Sequence, residues 1–507
     1  MLLTLLFLVG CAAAPPQPAP PRWPEEFPTP EQLFEGHLAA IGGREAVLAQ
    51  RVRAVDGRIL LDGAKGIFLA TRPSPDQLHI LAAFPNGLFL EEGFDGQAGW
   101  ARDPTGRRLH HDALEGLARR ADLHRDANWR DWVAETEGPY PSSCDEGSRA
   151  ERRCWRLEVT WTDHRRSELF FEVETGLQVA SWNHPTGDGA PTRVEERRWV
   201  WFEGVRTSTH TVASSDTGVT ETFIEALSGY AEGGEVMLPQ DLRPVSRTVS
   251  VPLTNAGGFL TLPVAVDGVL TPALFDTGSS VHTLDAALSA VEGLNTGGEG
   301  VGGVVEGLAL APLPPLALGD WTLPEGGGVL TGDRFVPLGA DLLLGAAPLS
   351  LGRVTLDLVD NRLRIEPPGG PVPEDAAPMR LGEGGLPEIE VTVGSRKMWA
   401  LVDTGAPRTV LNWMAAAALG RAIGDPEVGR AGDLVGVGGF PVPAHAATVS
   451  GLAIGARPLP EAELLFALPP VLQRRFGSQP AALLGLDLLW GKVLVMDAFA
   501  GRAWIER

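Results

Sequence analysis

The sequence predicts a mainly β protein. A helix-plus-antiparallel-sheet domain comes first, followed by a β unit that occurs twice. Three observations predict this. Short apolar runs bounded by Gly, Pro, Asn and Asp recur between Arg58 and Val212. Trp155, Leu157, Val159 and Trp161 alternate with Arg156, Glu158 and Thr160, the period of a half-buried antiparallel strand. The tripeptide Asp276-Thr277-Gly278 returns as Asp403-Thr404-Gly405, each time at the end of an apolar run.

From the N-terminus, Met1-Leu2-Leu3-Thr4-Leu5-Leu6-Phe7-Leu8-Val9-Gly10-Cys11 is too short an apolar run to span a bilayer as a mature helix. It suits the apolar part of an export signal. Leu8-Val9-Gly10-Cys11 resembles a bacterial lipobox, which implies lipidation at Cys11. No Lys or Arg precedes the run, so a cleaved secretory signal or a membrane-anchored stub is the alternative. Residues 1–11 are thus read as a lipoprotein signal and 12–29, rich in Pro and Ala, as a tether.

Thr29-Pro30-Glu31-Gln32 opens a helix: Thr as N-cap, Pro at the first helical position, and Gln three residues after the cap. Phe34, Leu38 and Ile41 follow at helical spacing until Gly42-Gly43 breaks the run. Arg44 to Gln50 can form a second helical piece. Strands are then expected at Arg58–Leu61, Ile67–Thr71, Gln77–Ala83, Gly87–Glu91, Ser167–Val173, Leu177–Trp182, Glu196–Phe202 and Thr207–Val212. These place a domain at 30–236, with a connector at 237–247. Trp100, Trp155 and Trp161 read as core in preference to groove lining. Cys144 and Cys154 read as one disulfide in an exported chain, or as two thiols otherwise.

The repeat occupies 248–366 and 381–507, around a Pro/Gly linker at 367–380. In the first unit, Leu262–Gly268 and Thr271–Phe275 lead into Asp276, and Val281–Asp285 leaves it. In the second, Pro387–Gly394 and Met398–Val402 lead into Asp403, and Thr409–Leu411 leaves it. Each unit then carries a glycine cluster, Gly300-Val301-Gly302-Gly303 and Gly436-Val437-Gly438-Gly439. Each has an apolar pair with Gly, Leu343-Leu344-Gly345 and Leu483-Leu484-Gly485. Each closes with two strands, Arg353–Leu358 with Arg362–Ile365, and Lys492–Asp497 with Arg502–Ile505.

This order resembles the retropepsin-like and pepsin-like aspartic proteases. The resemblance implies tandem retropepsin-like β-barrel lobes forming a bilobal protease in one chain. It implies a catalytic dyad at Asp276 and Asp403, loop support from Thr277, Gly278, Thr404 and Gly405, and flaps at Gly300, Gly302, Gly303, Gly436, Gly438 and Gly439. The chemistry is consistent: two carboxyls that cannot both ionise easily share a proton, and the ionised one activates a water. The loops differ after the tripeptides, Ser279-Ser280 against Ala406-Pro407-Arg408. Pro407-Arg408 is therefore expected to narrow the cleft or to favour an acidic group in the substrate. The N-terminal segments Gly93-Phe94-Asp95-Gly96-Gln97-Ala98-Gly99-Trp100 and Phe170–Leu177 resemble periplasmic lipoprotein-carrier domains, which implies an α+β half-open antiparallel barrel.

A formal net charge of -22 argues against a nucleic-acid partner. The expected function is a lipid-anchored aspartic endopeptidase of a bacterial envelope, placed at the outer membrane and facing the periplasm or cell exterior. Its partners are a peptide or protein substrate and a membrane. It needs no metal or cofactor and is monomeric because both lobes lie in one chain. The alternative is an inactive envelope binding or carrier lipoprotein that uses the protease fold as scaffold.

Overall fold

A computed structural model describes residues 27–50, 54–103, 106–110, 114–145, 152–184, 191–215, 218–229, 236–239, 242–300, 303–331, 340–435 and 441–506. Helix α1 (Pro30–Ala40) begins as the sequence dictates. The Thr29 hydroxyl accepts from the Gln32 amide, and the Gln32 side chain accepts from the Thr29 amide, so two otherwise orphaned donors are satisfied. Helix α2 (Arg44–Ala49) follows the Gly42-Gly43 break.

Thirteen strands then form one antiparallel sheet. They are β1 (Ala54–Leu61), β2 (Ala64–Thr71), β3 (Leu78–Ala83), β4 (Phe89–Phe94), β5 (Gly99–Asp103), β6 (Gly106–His110), β7 (Val133–Ser143), β8 (Arg153–Trp161), β9 (Arg166–Glu172), β10 (Gln178–His184), β11 (Thr192–Phe202), β12 (Val205–Ser215) and β13 (Gly218–Ser228). Between β6 and β7 lie α3 (Leu114–Ala121) and α4 (Trp129–Trp132). The first and last strands meet in the middle of the sheet, Ala54 opposite Ser228, which leaves β6 and β7 at its edges. Strand β7 carries Pro139 and Pro141, which an edge tolerates because one side of the strand donates no ladder bonds.

The alternation read at Trp155–Trp161 is kept: Leu157, Val159 and Trp161 are buried. They pack with Leu33 and Phe34 of α1 and with Phe171. Each such large side chain is worth about 1.5–3 kcal/mol when fully buried. Trp100 and Trp161 are core, and Trp155 is half-buried against the same cluster. Cys144 and Cys154 are joined as a disulfide.

The first C-terminal unit contains β14 (Val249–Pro252), β15 (Thr254–Ala256), β16 (Phe259–Val266), β17 (Val269–Phe275), β18 (Thr283–Asp285), β19 (Leu294–Gly300), β20 (Gly303–Pro312), β21 (Leu316–Leu318), β22 (Trp321–Thr322), β23 (Gly327–Thr331), β24 (Leu342–Leu344), β25 (Arg353–Asp357) and β26 (Arg362–Glu366). The second contains β27 (Ala377–Leu381), β28 (Pro387–Val393), β29 (Arg396–Val402), β30 (Val410–Leu411), α5 (Trp413–Ala418), β31 (Gly429–Leu434), β32 (Val442–Val449), β33 (Leu452–Ile454), β34 (Arg457–Pro458), β35 (Ala462–Phe466), α6 (Pro470–Phe476), β36 (Ala481–Leu484), α7 (Leu486–Leu489), β37 (Val493–Asp497) and β38 (Arg502–Ile505).

The second unit repeats the pairing of the first. The strand before each Asp-Thr-Gly, β17 or β29, runs parallel to the apolar strand β24 or β36. The strand after it, β18 or β30, pairs with the same apolar strand and with β23 or β35. Strands β25 and β37 pair antiparallel across the units, so β14, β26, β25, β37, β38 and β27 form one continuous run. Val354, Leu356, Leu494 and Met496 bury their side chains there, in the core that the units share. The molecule is thus mainly β, with curled sheets, and places Asp276 and Asp403 in equivalent turns. Among the described residues, no helix is long and apolar enough to cross a membrane.

Candidate active site

Each tripeptide sits in a turn pinned from behind. The Asp276 amide donates to the Leu344 carbonyl at 3.0 Å, and the Asp403 amide donates to the Leu484 carbonyl at 3.0 Å. Parallel pairing with a fully buried strand therefore fixes where both carboxyls emerge.

The two turns are cross-bonded through their threonines, both fully buried. The Thr277 amide donates to Thr404 Oγ1 at 2.9 Å, and the Thr404 amide donates to Thr277 Oγ1 at 3.0 Å. The Thr277 hydroxyl donates to the Val402 carbonyl at 2.7 Å, and the Thr404 hydroxyl donates to the Phe275 carbonyl at 2.8 Å. Threonine suits the position because its hydroxyl accepts and donates at once. All four contacts cross between units, so the tripeptides are held as a pair.

The glycines set the approach of the carboxyls. A Cβ on Gly278 would lie 2.4 Å from Asp403 Cγ, and one on Gly405 would lie 2.4 Å from Asp276 Cγ. Each carboxyl therefore occupies space that a side chain on the opposite tripeptide would fill. The Gly278 amide donates to Asp276 Oδ1 at 2.9 Å, and the Gly405 amide donates to Asp403 Oδ1 at 2.9 Å. The two carboxyls also hydrogen-bond each other.

Both carboxyls are raised above their ordinary range. Burial pushes the Asp403 carboxyl well above the usual carboxylate range, and the Asp276 charge beside it pushes it further. Burial raises Asp276 as well, but bonds from Asp403 and from the amides of Gly278, Ser279 and Gly405 stabilise its anion. The pair titrates as one unit that favours a single shared proton.

Behind the turns the units differ, and the sequence reading missed the residues concerned. The Gly345 amide donates to His282 Nδ1 at 3.0 Å. At the matching place, the Gly485 amide donates to Thr409 Oγ1 at 3.0 Å. The Thr409 hydroxyl donates to Asp487 Oδ1 at 2.6 Å, and its amide donates to the same carboxylate. Burial pushes His282 down to about 4, so the ring is neutral and Nδ1 is free to accept. The available signal was the equal offset of His282 and Thr409 from their aspartates, readable only once the repeats are aligned.

Pro407 and Arg408 have separate surroundings. The Arg408 guanidinium donates to the Glu463 carbonyl at 2.9 Å and lies 3.7 Å from Asp487. It is thus committed to groups of its own unit. Pro407 instead faces Gly258 of the first unit, as Ser280 faces Gly384 of the second. Gly300 and Gly303 pair at the end of β19 and β20. Gly302, Gly436, Gly438, Gly439 and Cys11 lie outside the described residues.

With this geometry in place, comparison with known proteins finds a family model that matches part of the chain. Residues 389–488 match the aspartyl protease family. The match contains Asp403-Thr404-Gly405, Thr409 and Asp487. Among solved structures, the chain is similar to a retropepsin-like aspartic protease from Rickettsia conorii, at 19% identity over 24% of this chain and 98% of that one, with a TM-score of 0.19. It is similar to Basic 7S globulin from soybean, at 14% identity over 51% of this chain and 96% of that one, with a TM-score of 0.29. A LolA superfamily protein from Nitrosomonas europaea matches at 13% identity over 39% of this chain and 93% of that one, with a TM-score of 0.27. No curated protein matches the chain. The two resemblances read from the sequence, to retropepsin-like or pepsin-like aspartic proteases and to lipoprotein carriers, recur in these comparisons.

Proposed function

We propose that this chain is a lipid-anchored aspartic endopeptidase of a bacterial envelope, with 248–366 and 381–507 as its two lobes and 30–236 as a carrier-like domain before them. The carrying observation is the reciprocal Thr277–Thr404 bonding, which presents two carboxyls in mutual contact. A structural turn needs an Asp and a Gly; it does not need a partner turn bonded to it through four buried hydrogen bonds.

In this reading one carboxyl of the pair is ionised and the other holds the shared proton. The ionised carboxyl takes a proton from a bound water as the oxygen attacks the scissile carbonyl. The protonated carboxyl donates a hydrogen bond to the carbonyl oxygen, stabilising the charge that develops there. Collapse of the tetrahedral intermediate returns a proton to the departing nitrogen. An extended peptide would lie beneath the hairpins β19–β20 and β31–β32, which end in the glycine clusters. The Cys144–Cys154 disulfide supports an oxidising compartment, and Leu8-Val9-Gly10-Cys11 supports the anchor.

The test is cleavage of a mixed peptide library between about pH 3 and about pH 8, where such dyads share a proton. Wild type is compared with Asp276→Asn and Asp403→Asn. Activity that both substitutions abolish supports a shared dyad. Equal cleavage by wild type and both variants would reject it, and absence of cleavage throughout would favour an inactive envelope binding lipoprotein.

A further inference from the structure

The two hairpins that lead to the glycine clusters are built alike and stand in different surroundings. In the second unit, β31 exposes its residues from Gly429 to Asp433. In the first, Leu308 and Leu310 of β20 and Val329 of β23 are buried in one apolar cluster with Ile59, Ala82, Phe84 and Leu88 of the N-terminal sheet. Leu294 at the start of β19 packs on the same cluster. The turn between β3 and β4 adds polar contacts. Asn86 Nδ2 donates to the Glu292 carbonyl at 3.3 Å and to the Leu310 carbonyl at 3.4 Å, while Asn86 Oδ1 accepts from the Leu88 amide at 3.1 Å.

Register shows which face of the sheet is used. Ala82 pairs with Phe68 and with Leu90, and Ile59 lies two residues from Gly57, which pairs with Phe68. All therefore point to one side. Ile80, two residues before Ala82, shares that side and packs with Leu117, Ala118 and Ala121 of α3. One apolar face is thus covered partly by the sheet's own helix and partly by a hairpin of the first unit.

The contact reaches the candidate dyad. Val281, in the loop leaving Asp276, packs against the same cluster. Its carbonyl accepts from the Ser279 hydroxyl at 2.9 Å, and the Ser279 carbonyl accepts from the Ala346 amide at 2.9 Å. Residues behind Asp276 are therefore fixed on one side by the N-terminal sheet.

We propose that the N-terminal sheet is the brace of the hairpin β19–β20. It holds that hairpin in place, whereas β31 of the other hairpin has no such cover, so the two hairpins are unequally restrained and β31–β32 opens more readily. Calling the hairpins covers of a substrate cleft rests on the protease reading; the brace itself does not.

Hydrogen exchange on the full chain tests it without turnover. The amides of β19–β20 and β31–β32 are compared in wild type, Asn86→Ala and Leu88→Ala, with β8–β9 as a control for folding of the sheet. In wild type, β19–β20 exchanges at least about ten-fold more slowly than β31–β32. Both variants accelerate β19–β20 by about ten-fold or more and leave β31–β32 and β8–β9 unchanged. Equal exchange of the two hairpins in wild type overturns the proposal. So does unaltered β19–β20 exchange in Asn86→Ala, a substitution at a half-buried turn that leaves the sheet core intact. A chain that cleaves no peptide leaves this test intact.

Discussion

His282 sets an acid limit on the first unit. Its Nδ1 accepts from the Gly345 amide only while the ring is neutral, and burial holds the folded pKa near 4 against an ordinary 6.5. Below about 6.5 the unfolded chain takes up a proton that the folded chain refuses, so folding loses ground as pH falls. The stabilisation is therefore complete above about 6.5, declines through the window and is gone below about 4. At about 1.4 kcal/mol per pH unit, the gap corresponds to about 3 kcal/mol. His282→Asn keeps an acceptor where Nδ1 stood and removes the titration. Urea unfolding of wild type and variant at about pH 7 and about pH 4 reads the difference: wild type loses about 3 kcal/mol more than the variant. Parallel losses in both proteins would refute the assignment of this buried, neutral acceptor.

The dyad has the opposite sign. Asp403 is raised by burial and by Asp276, so its contribution is full below about 3.9 and is lost as pH climbs through the raised folded value; Asp403→Asn should raise the melting temperature at neutral pH, with the gain fading towards about pH 3, and a variant melting no higher than wild type at neutral pH contradicts this. Thr277→Val leaves the Val402 carbonyl and the Thr404 amide buried without partners, at a cost of about 2–6 kcal/mol. Thr277→Ser should recover most of it by denaturant unfolding, and equal stability of the two variants counts against the cross-bonding account. Gly278→Ala places a Cβ 2.4 Å from Asp403 Cγ and, on the proposed protease reading, should cut peptide cleavage by about a hundred-fold or more. Gly429→Ala, where nothing lies within 4 Å, should leave cleavage unchanged, and a loss of the same size there would refute the steric argument.

What the sequence made legible was local or repeated. The α1 capping box needs only residues 29–32, and the structure forms both of its bonds. The paired tripeptides were visible because each carries its own flanking strands, which the structure pairs in the same way twice. Strand β7 was missed because an edge strand with two prolines lacks apolar alternation. His282 was passed over because one buried histidine in an apolar run looks like core until its counterpart Thr409 is aligned with it. The contacts of Arg408 were not legible because sequence shows a charge beside the turn and not the Glu463 carbonyl that takes it up. The docking of Leu308 and Leu310 on Ile59 and Phe84 joins segments too distant for any sequence pattern to register.

The pairing of β25 with β37 has a consequence for dosage. Where two separate chains must each lend an Asp-Thr-Gly, the fraction of complete sites falls as the protein is diluted, because assembly obeys mass action. Here both tripeptides belong to one polypeptide and their units share a hydrogen-bonded sheet. Bringing Asp276 to Asp403 is a unimolecular event, so the meeting of the two tripeptides does not weaken as the protein is diluted.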